Sequence, residues 1–72
     1  MRIEHYEDGD MLYIGLRDLA SVGSSEVAPG FVIDFGEDGE IVGIEIDQAA
    51  HRFDVRNLRI EALPHYERRK AA

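Results

Sequence analysis

The sequence predicts an α+β protein, an antiparallel sheet of four or five strands with one short helix packed on one face. Three observations predict it. Apolar and polar residues alternate over Arg2 to Tyr6, Met11 to Leu16, Phe31 to Phe35 and Glu40 to Ile46. Two acidic turns with Asp-Gly steps, Glu7-Asp8-Gly9-Asp10 and Gly36-Glu37-Asp38-Gly39, join these stretches into hairpins. Only one segment, after Asp47, places apolar residues at helical spacing.

Each element has its own local reason. In the first strand, Ile3 and His5 share one face, and Glu4 and Tyr6 the other, because side chains alternate with a period of two. The Asp-Gly step then supplies the positive φ that a tight hairpin needs. Leu12, Ile14 and Leu16 form an apolar stripe in the second strand, with Tyr13 opposite. Tyr13 is read as packed against Ile41, with an interface role as the alternative. Residues 17–30 are less regular. Ser21, Gly23, Ser24 and Ser25 mark a loop, Glu26-Val27 a brief strand, and Pro29-Gly30 a turn with φ pre-set by proline. Phe31, Ile33 and Phe35 point inward and Val32 and Asp34 outward. In the partner strand Val42, Ile44 and Ile46 share a face.

Asp47 is the expected N-cap of a helix over Gln48 to Val55, with Ala49, Ala50 and Phe53 toward the sheet. Asn57 breaks it. Leu58 to Leu63 alternates as a final strand, although Leu58 and Ala62 also fit a continued helix; the strand is preferred. Pro64 ends the folded body, so residues 1–64 form the single domain and residues 65–72 a flexible basic tail.

Residues 7–16 align without gaps on residues 37–46. Convergence is the preferred reading over a duplicated hairpin, since any acidic turn before an apolar strand has this appearance.

Bulk composition narrows the function classes. The chain has 72 residues, 44% of them hydrophobic and 32% charged, and no cysteine. A domain this small buries only about 60% of its unfolded surface, so its core is thin. Disulfides and thiolate metal sites are excluded. With apolar residues on both strand faces and one short helix, a homo-oligomer, most simply a dimer, is expected. No apolar run approaches the roughly 18 residues of a membrane span. The N-terminus carries no signal-like apolar segment, and a cytoplasmic location is expected. The net charge is −7. Residues 1–50 hold twelve acidic and two basic groups, a net of −10, and residues 51–72 three acidic and six basic, a net of +3. Such a body repels nucleic acid, and Arg68-Arg69-Lys70 is too small a patch to reverse that.

Candidate chemistry is sparse. The turn carboxylates Asp8, Asp10, Glu37, Asp38 and Glu40 lack the ligand number that calcium requires. His5, His51 and His65 are far apart in sequence, unlike zinc ligands. Ser21, Ser24 and Ser25 lie outside any nucleophile elbow, and Gly23-Ser24-Ser25 is not followed by a helix that could cradle phosphate. No metal, cofactor or catalytic residue is expected. The acidic body instead suits a basic protein partner, with Glu37, Asp38 and Glu40 as the expected partner-binding residues. The alternative is a small enzyme or ligand-binding domain using the 17–30 loop and the histidines. Convergence of His51 with a serine and a carboxylate in a cleft would favour it.

Tyr6 through Leu16, centred on Asp10-Met11-Leu12-Tyr13-Ile14, and Glu26-Val27-Ala28-Pro29-Gly30-Phe31-Val32-Ile33-Asp34-Phe35 with Glu37 through Ile46 resemble a small bacterial family, domain of unknown function 2283. The resemblance covers roughly residues 3–50. Asp47-Gln48-Ala49-Ala50 stands where the family commonly has Asp-Ala-Ser, so the serine is missing here. The resemblance implies a small α+β sheet protein without established chemistry. Its members often neighbour genes for small toxins, which implies an antitoxin-like role.

Overall fold

A computed structural model describes residues 1–61 of the chain. The end of the expected last strand (Ala62 and Leu63), Pro64, His65 and the tail lie outside the described residues. In chain order the elements are β1 (Arg2–Tyr6), β2 (Met11–Gly15), β3 (Gly23–Ala28), β4 (Phe31–Phe35), β5 (Ile41–Asp47) and a single helical turn, α1 (Ala49–Arg52). The strands form one antiparallel sheet in the order β1-β2-β5-β4-β3. The chain is thus an α+β protein with a five-stranded antiparallel sheet and one short helix.

The turns follow the glycines. Gly9 has φ 95° and Gly39 φ 82°, as the two acidic turns require. A third hairpin joins β3 to β4 through Pro29-Gly30, where Gly30 has φ 81°. The Gly30 amide donates to the Glu26 carboxylate at 3.0 Å.

A shift of 30 residues carries the β1–β2 hairpin onto the β4–β5 hairpin with its register intact. Ile3 opposite Ile14 becomes Ile33 opposite Ile44, and Arg2 opposite Gly15 becomes Val32 opposite Glu45. The hairpins meet along β2 and β5, and the pair of that seam which the same shift interchanges is Ile14 with Ile44. The similarity between residues 7–16 and 37–46 therefore has a structural counterpart, a pseudo-two-fold axis through the sheet. The symmetry is broken in two places. Val42 is an extra residue in β5, left between the Gly43–Asp34 and Ile41–Phe35 pairs. Its carbonyl instead accepts from the Leu16 and Arg17 amides at 2.9 and 3.3 Å. And β3 covers the outer edge of β4, while no described strand covers the outer edge of β1.

Three expectations are corrected. Ser24 and Ser25 are not loop residues. They sit in β3 opposite Asp34 and Ile33, because ladder pairing with β4 satisfies their backbone and outweighs their turn-prone composition. The helix is shorter than expected, and Asp47 does not cap it. Asp47 is the last residue of β5, with its amide donating to the Gly30 carbonyl at 2.8 Å. Gln48 takes the cap position at φ 53° without a side-chain bond, and Phe53 is already extended. Capping comes instead from Asp10, across the fold. Its carbonyl accepts from the Ala49 amide at 3.0 Å and its carboxylate from the Ala50 amide at 2.9 Å, satisfying two of the orphan donors at the helix start. Finally, Leu58 to Glu61 forms neither strand nor helix.

One sheet face is apolar, with Ile3, Leu12, Ile14, Ile33, Ile44 and Ile46 in register across four strands. Ala49 is fully buried, Ala50 is exposed, and Phe53 meets Phe31 edge-on at 6.0 Å. Leu19, from the segment joining β2 to β3, lies beside Val42 at Gly36. Among the described residues only Val42 and Ala49 are fully buried apolar residues, so the core they form is thin. An apolar hollow of about 280 Å³ remains between Leu12, Ile14, Ile46, Phe53 and Leu58.

The positive φ at Gly39, with open space around it, makes backbone strain the main cost of any substitution there. Gly39→Val is expected to destabilise by about 1–3 kcal/mol. The check is a urea midpoint shifted down at unchanged slope.

Candidate functional site

The second sheet face is built by the other half of each strand's alternation. It carries Arg2, Glu4 and Tyr6 from β1, Met11 and Tyr13 from β2, Glu45 and Asp47 from β5, and Val32 and Asp34 from β4. Tyr13 organises it. Two glycines, Gly15 and Gly43, face each other across the β2–β5 seam. The Tyr13 ring lies on the bare backbone of Gly43, where a Cβ would stand 2.2 Å from its hydroxyl oxygen. Arg2 stacks over the same ring at 5.9 Å. The packing partner of Tyr13 is thus Gly43 rather than Ile41, which is exposed.

Gly43 is directly opposite Asp34, and Tyr13 is directly opposite Glu45. Asp34, expected to point outward into solvent, is on that face but only 5% exposed. Glu45 is its diagonal neighbour on β5. A hydrogen bond with Asp34, then burial and the charges of Asp34 and Asp47, push the Glu45 carboxyl above its ordinary value. The ionised form of Glu45 is thus disfavoured beside its neighbour. Near them Arg2, Tyr6, Asp8, Met11, Tyr13 and Glu45 line an open hollow of about 520 Å³. Tyr6 donates to Glu4 at 2.6 Å, and Arg2 pairs with Glu4 at 3.3 Å.

The histidines do meet. His5 Nε2 and His51 Nδ1 lie 2.7 and 2.8 Å from the two carboxylate oxygens of Asp10. Hydrogen bonds from His5, His51 and the Ala50 amide hold the Asp10 carboxyl well below the usual range. This knot ties α1 to the β1–β2 turn, a distance of 41 residues along the chain. The sequence analysis missed it because nothing in the spacing joins His5, Asp10 and His51. No serine joins it. Ser24 and Ser25 are on β3, at the edge of the sheet opposite β1, and Ser21 donates to the Gly23 carbonyl. Among the described residues no group of three His, Asp or Glu side chains is arranged to hold a metal ion.

The expected partner-binding turn is partly committed within the chain. Asp38 accepts two hydrogen bonds from Arg17, at 3.1 and 2.8 Å, and one from the Glu40 amide at 3.1 Å. The Arg17 guanidinium holds its carboxyl down at about 2. Glu37 and Glu40 are exposed. Asp38 is also exposed, but of the three its carboxylate is the one bonded within the turn and to Arg17. Among the described residues no helix is long and apolar enough to cross a membrane.

A single antiparallel sheet with one apolar face, one acidic face and no nucleophile–base pair among its described residues defines a small α+β sheet domain. Residues 2–49 match a family model described as protein of unknown function (DUF2283), two-thirds of the chain including all five strands, and the chain belongs to that family. No curated protein and no solved structure matches it.

Two measurements check this geometry. Gly43→Ala is expected to cost about 1–3 kcal/mol by forcing the Tyr13 ring off its seat. The same change in a Tyr13→Ala background should cost less, a coupling that a double-mutant cycle reads directly. The acid limb tests the two lowered carboxyls. A folded pKa below the unfolded one contributes stability that is present above the unfolded value of about 4 and lost as pH falls. Stability should therefore drop from pH 5 toward pH 2, and Asp10→Asn with Asp38→Asn should flatten that drop.

Proposed function

We propose that this domain is a non-enzymatic protein–protein interaction module of the cytoplasm that receives a basic partner on its acidic, tyrosine-bearing sheet face, in the manner of an antitoxin against a small basic toxin. The observation that carries the reading is the Asp34–Glu45 pair on the face that bears Tyr13. Holding two carboxyls together lowers the stability of the free domain at neutral pH. A cation brought against Glu45 relieves that cost, so the pair favours a charged complex over the free state.

The surroundings fit the same partner. Glu4, Glu45 and Asp47 line the face, and Arg2 is its one cation among the described strands. Tyr13 and Tyr6 add flat amphipathic surface of the kind that recurs at protein interfaces. A field of this sign speeds association with a cationic surface, and salt weakens it because the Debye length is only about 8 Å at physiological ionic strength. The exposed Glu37 and Glu40 extend the acidic surface, whereas Asp38 is occupied by Arg17.

The test begins with a partner recovered by affinity capture from the source cells and identified by mass spectrometry. Its affinity is then measured across a salt series. Glu45→Lys should weaken binding about tenfold or more, while deletion of residues 66–72 should leave it unchanged. Binding that ignores salt, or that is lost on tail deletion alone, contradicts the proposal.

A further inference from the structure

We propose that the outer edge of β1 pairs with β1 of a second copy, antiparallel and centred on Ile3, to give a two-fold dimer with one continuous ten-stranded sheet. The argument starts from the two edges of the sheet. The β3 edge is blunted. Its strand is Gly-Ser-Ser-Glu-Val-Ala, its register slips between Glu26 and Ala28, and Pro29 follows directly. Bulges, polar residues and prolines of this kind keep an edge from pairing. The β1 edge has no bulge and no proline, and its charged residues, Arg2 and Glu4, are of opposite sign and two apart. Arg2 to Tyr6 keeps unbroken register with Gly15 to Met11, without glycine, proline or bulge.

The pseudo-symmetry sharpens the contrast. The 30-residue shift maps β1 onto β4, and the outer edge of β4 carries an antiparallel strand, β3. The corresponding edge of β1 carries none among the described residues. The backbone there is regular and presents a row of donors and acceptors that no described residue pairs.

The sequence of β1 selects both the occupant and the register. A dyad perpendicular to the sheet keeps each face on its own side, so paired positions must have the same parity. Centring on Glu4 sets two glutamates opposite each other. Centring on Arg2 does the same with two arginines, and centring on His5 leaves Glu4 against Tyr6. Centring on Ile3 puts Arg2 opposite the second copy's Glu4 and Glu4 opposite its Arg2. It also puts Ile3, 39% exposed in the single chain, against its own copy on the apolar face. Directly opposite charges and apolar pairs are the favourable cross-strand combinations, and like charges the unfavourable ones. The Arg2–Glu4 contact within one strand, at 3.3 Å, shows the same two charges already attracting each other in the single chain.

The test uses the full chain in sedimentation equilibrium with two charge reversals. Arg2→Glu and Glu4→Arg should each weaken self-association by about tenfold, since each sets like charges opposite one another twice per dimer. Mixed together, the two variants should associate at least as tightly as the wild type, because every pair across the dyad is then of opposite sign. A folding defect would not be rescued by mixing. Independently, Ile3→Cys places the chain's one thiol on the dyad. Mild oxidation should yield the disulfide-linked dimer, while Glu37→Cys should not cross-link. A monomeric chain at tens of micromolar, a mixture that fails to recover, or an Ile3→Cys dimer that does not cross-link would overturn the proposal. The first result would leave the edge to another part of the chain.

Discussion

The fold depends on the antiparallel seam between β2 and β5, in which Ile14 stands opposite Ile44. Because strand side chains alternate with a period of two, that one register decides the content of both faces. It aligns Leu12, Ile14, Ile44 and Ile46 on the apolar side. On the other side it brings Gly15 opposite Gly43 and leaves the shallow seat that Tyr13 fills. A slip by one residue would turn the isoleucines to solvent and place the tyrosine over side chains. The bare backbone at Gly43 is therefore as much part of the register as the isoleucines. A side chain at Gly43 would remove the seat even though it touches no apolar residue.

The elements most legible in the sequence were those whose signals are local. The glycine turns at residues 9 and 39 and the alternation in β1, β2, β4 and β5 follow from neighbours within a few residues, and they appear where expected. What the sequence concealed is set by contacts across the fold. Ser24 and Ser25 read as loop because small polar residues favour turns, yet β4 offers them a ladder. Asp47 read as a cap because it precedes helical spacing, yet β5 runs through it, and Asp10 caps the helix from a turn that precedes it by some 40 residues. The acidity of the body was legible. Its focus was not, because Asp34 and Glu45 become neighbours only through the β4–β5 pairing, and Asp38 loses its freedom only when Arg17 folds back onto it.

The energetics divide along the same lines. Two fully buried apolar side chains among the described residues are little core for a sheet of five strands, and about 0.1 kcal/mol per residue is the usual margin of a folded domain. In such a domain small terms matter. The Asp10 knot ties down a helix too short to persist alone. A like-charge carboxyl pair retained on the opposite face works against that margin. Natural domains retain unfavourable groups mainly where a ligand or partner compensates them. The acidic face, not the turns, is therefore where this account places recognition.

The claim that the sheet register forces Asp34 and Glu45 into conflict is tested most directly by carboxyl-detected NMR titration of the free domain. The account predicts that Glu45 titrates above the ordinary glutamate range, and that Asp34→Asn returns it to that range. By linkage, a raised carboxyl contributes stability fully present below its unfolded pKa and lost as pH rises through the folded one, so Glu45→Gln should not destabilise the domain at neutral pH. Glu45 titrating at its ordinary value in the wild-type domain would contradict the account.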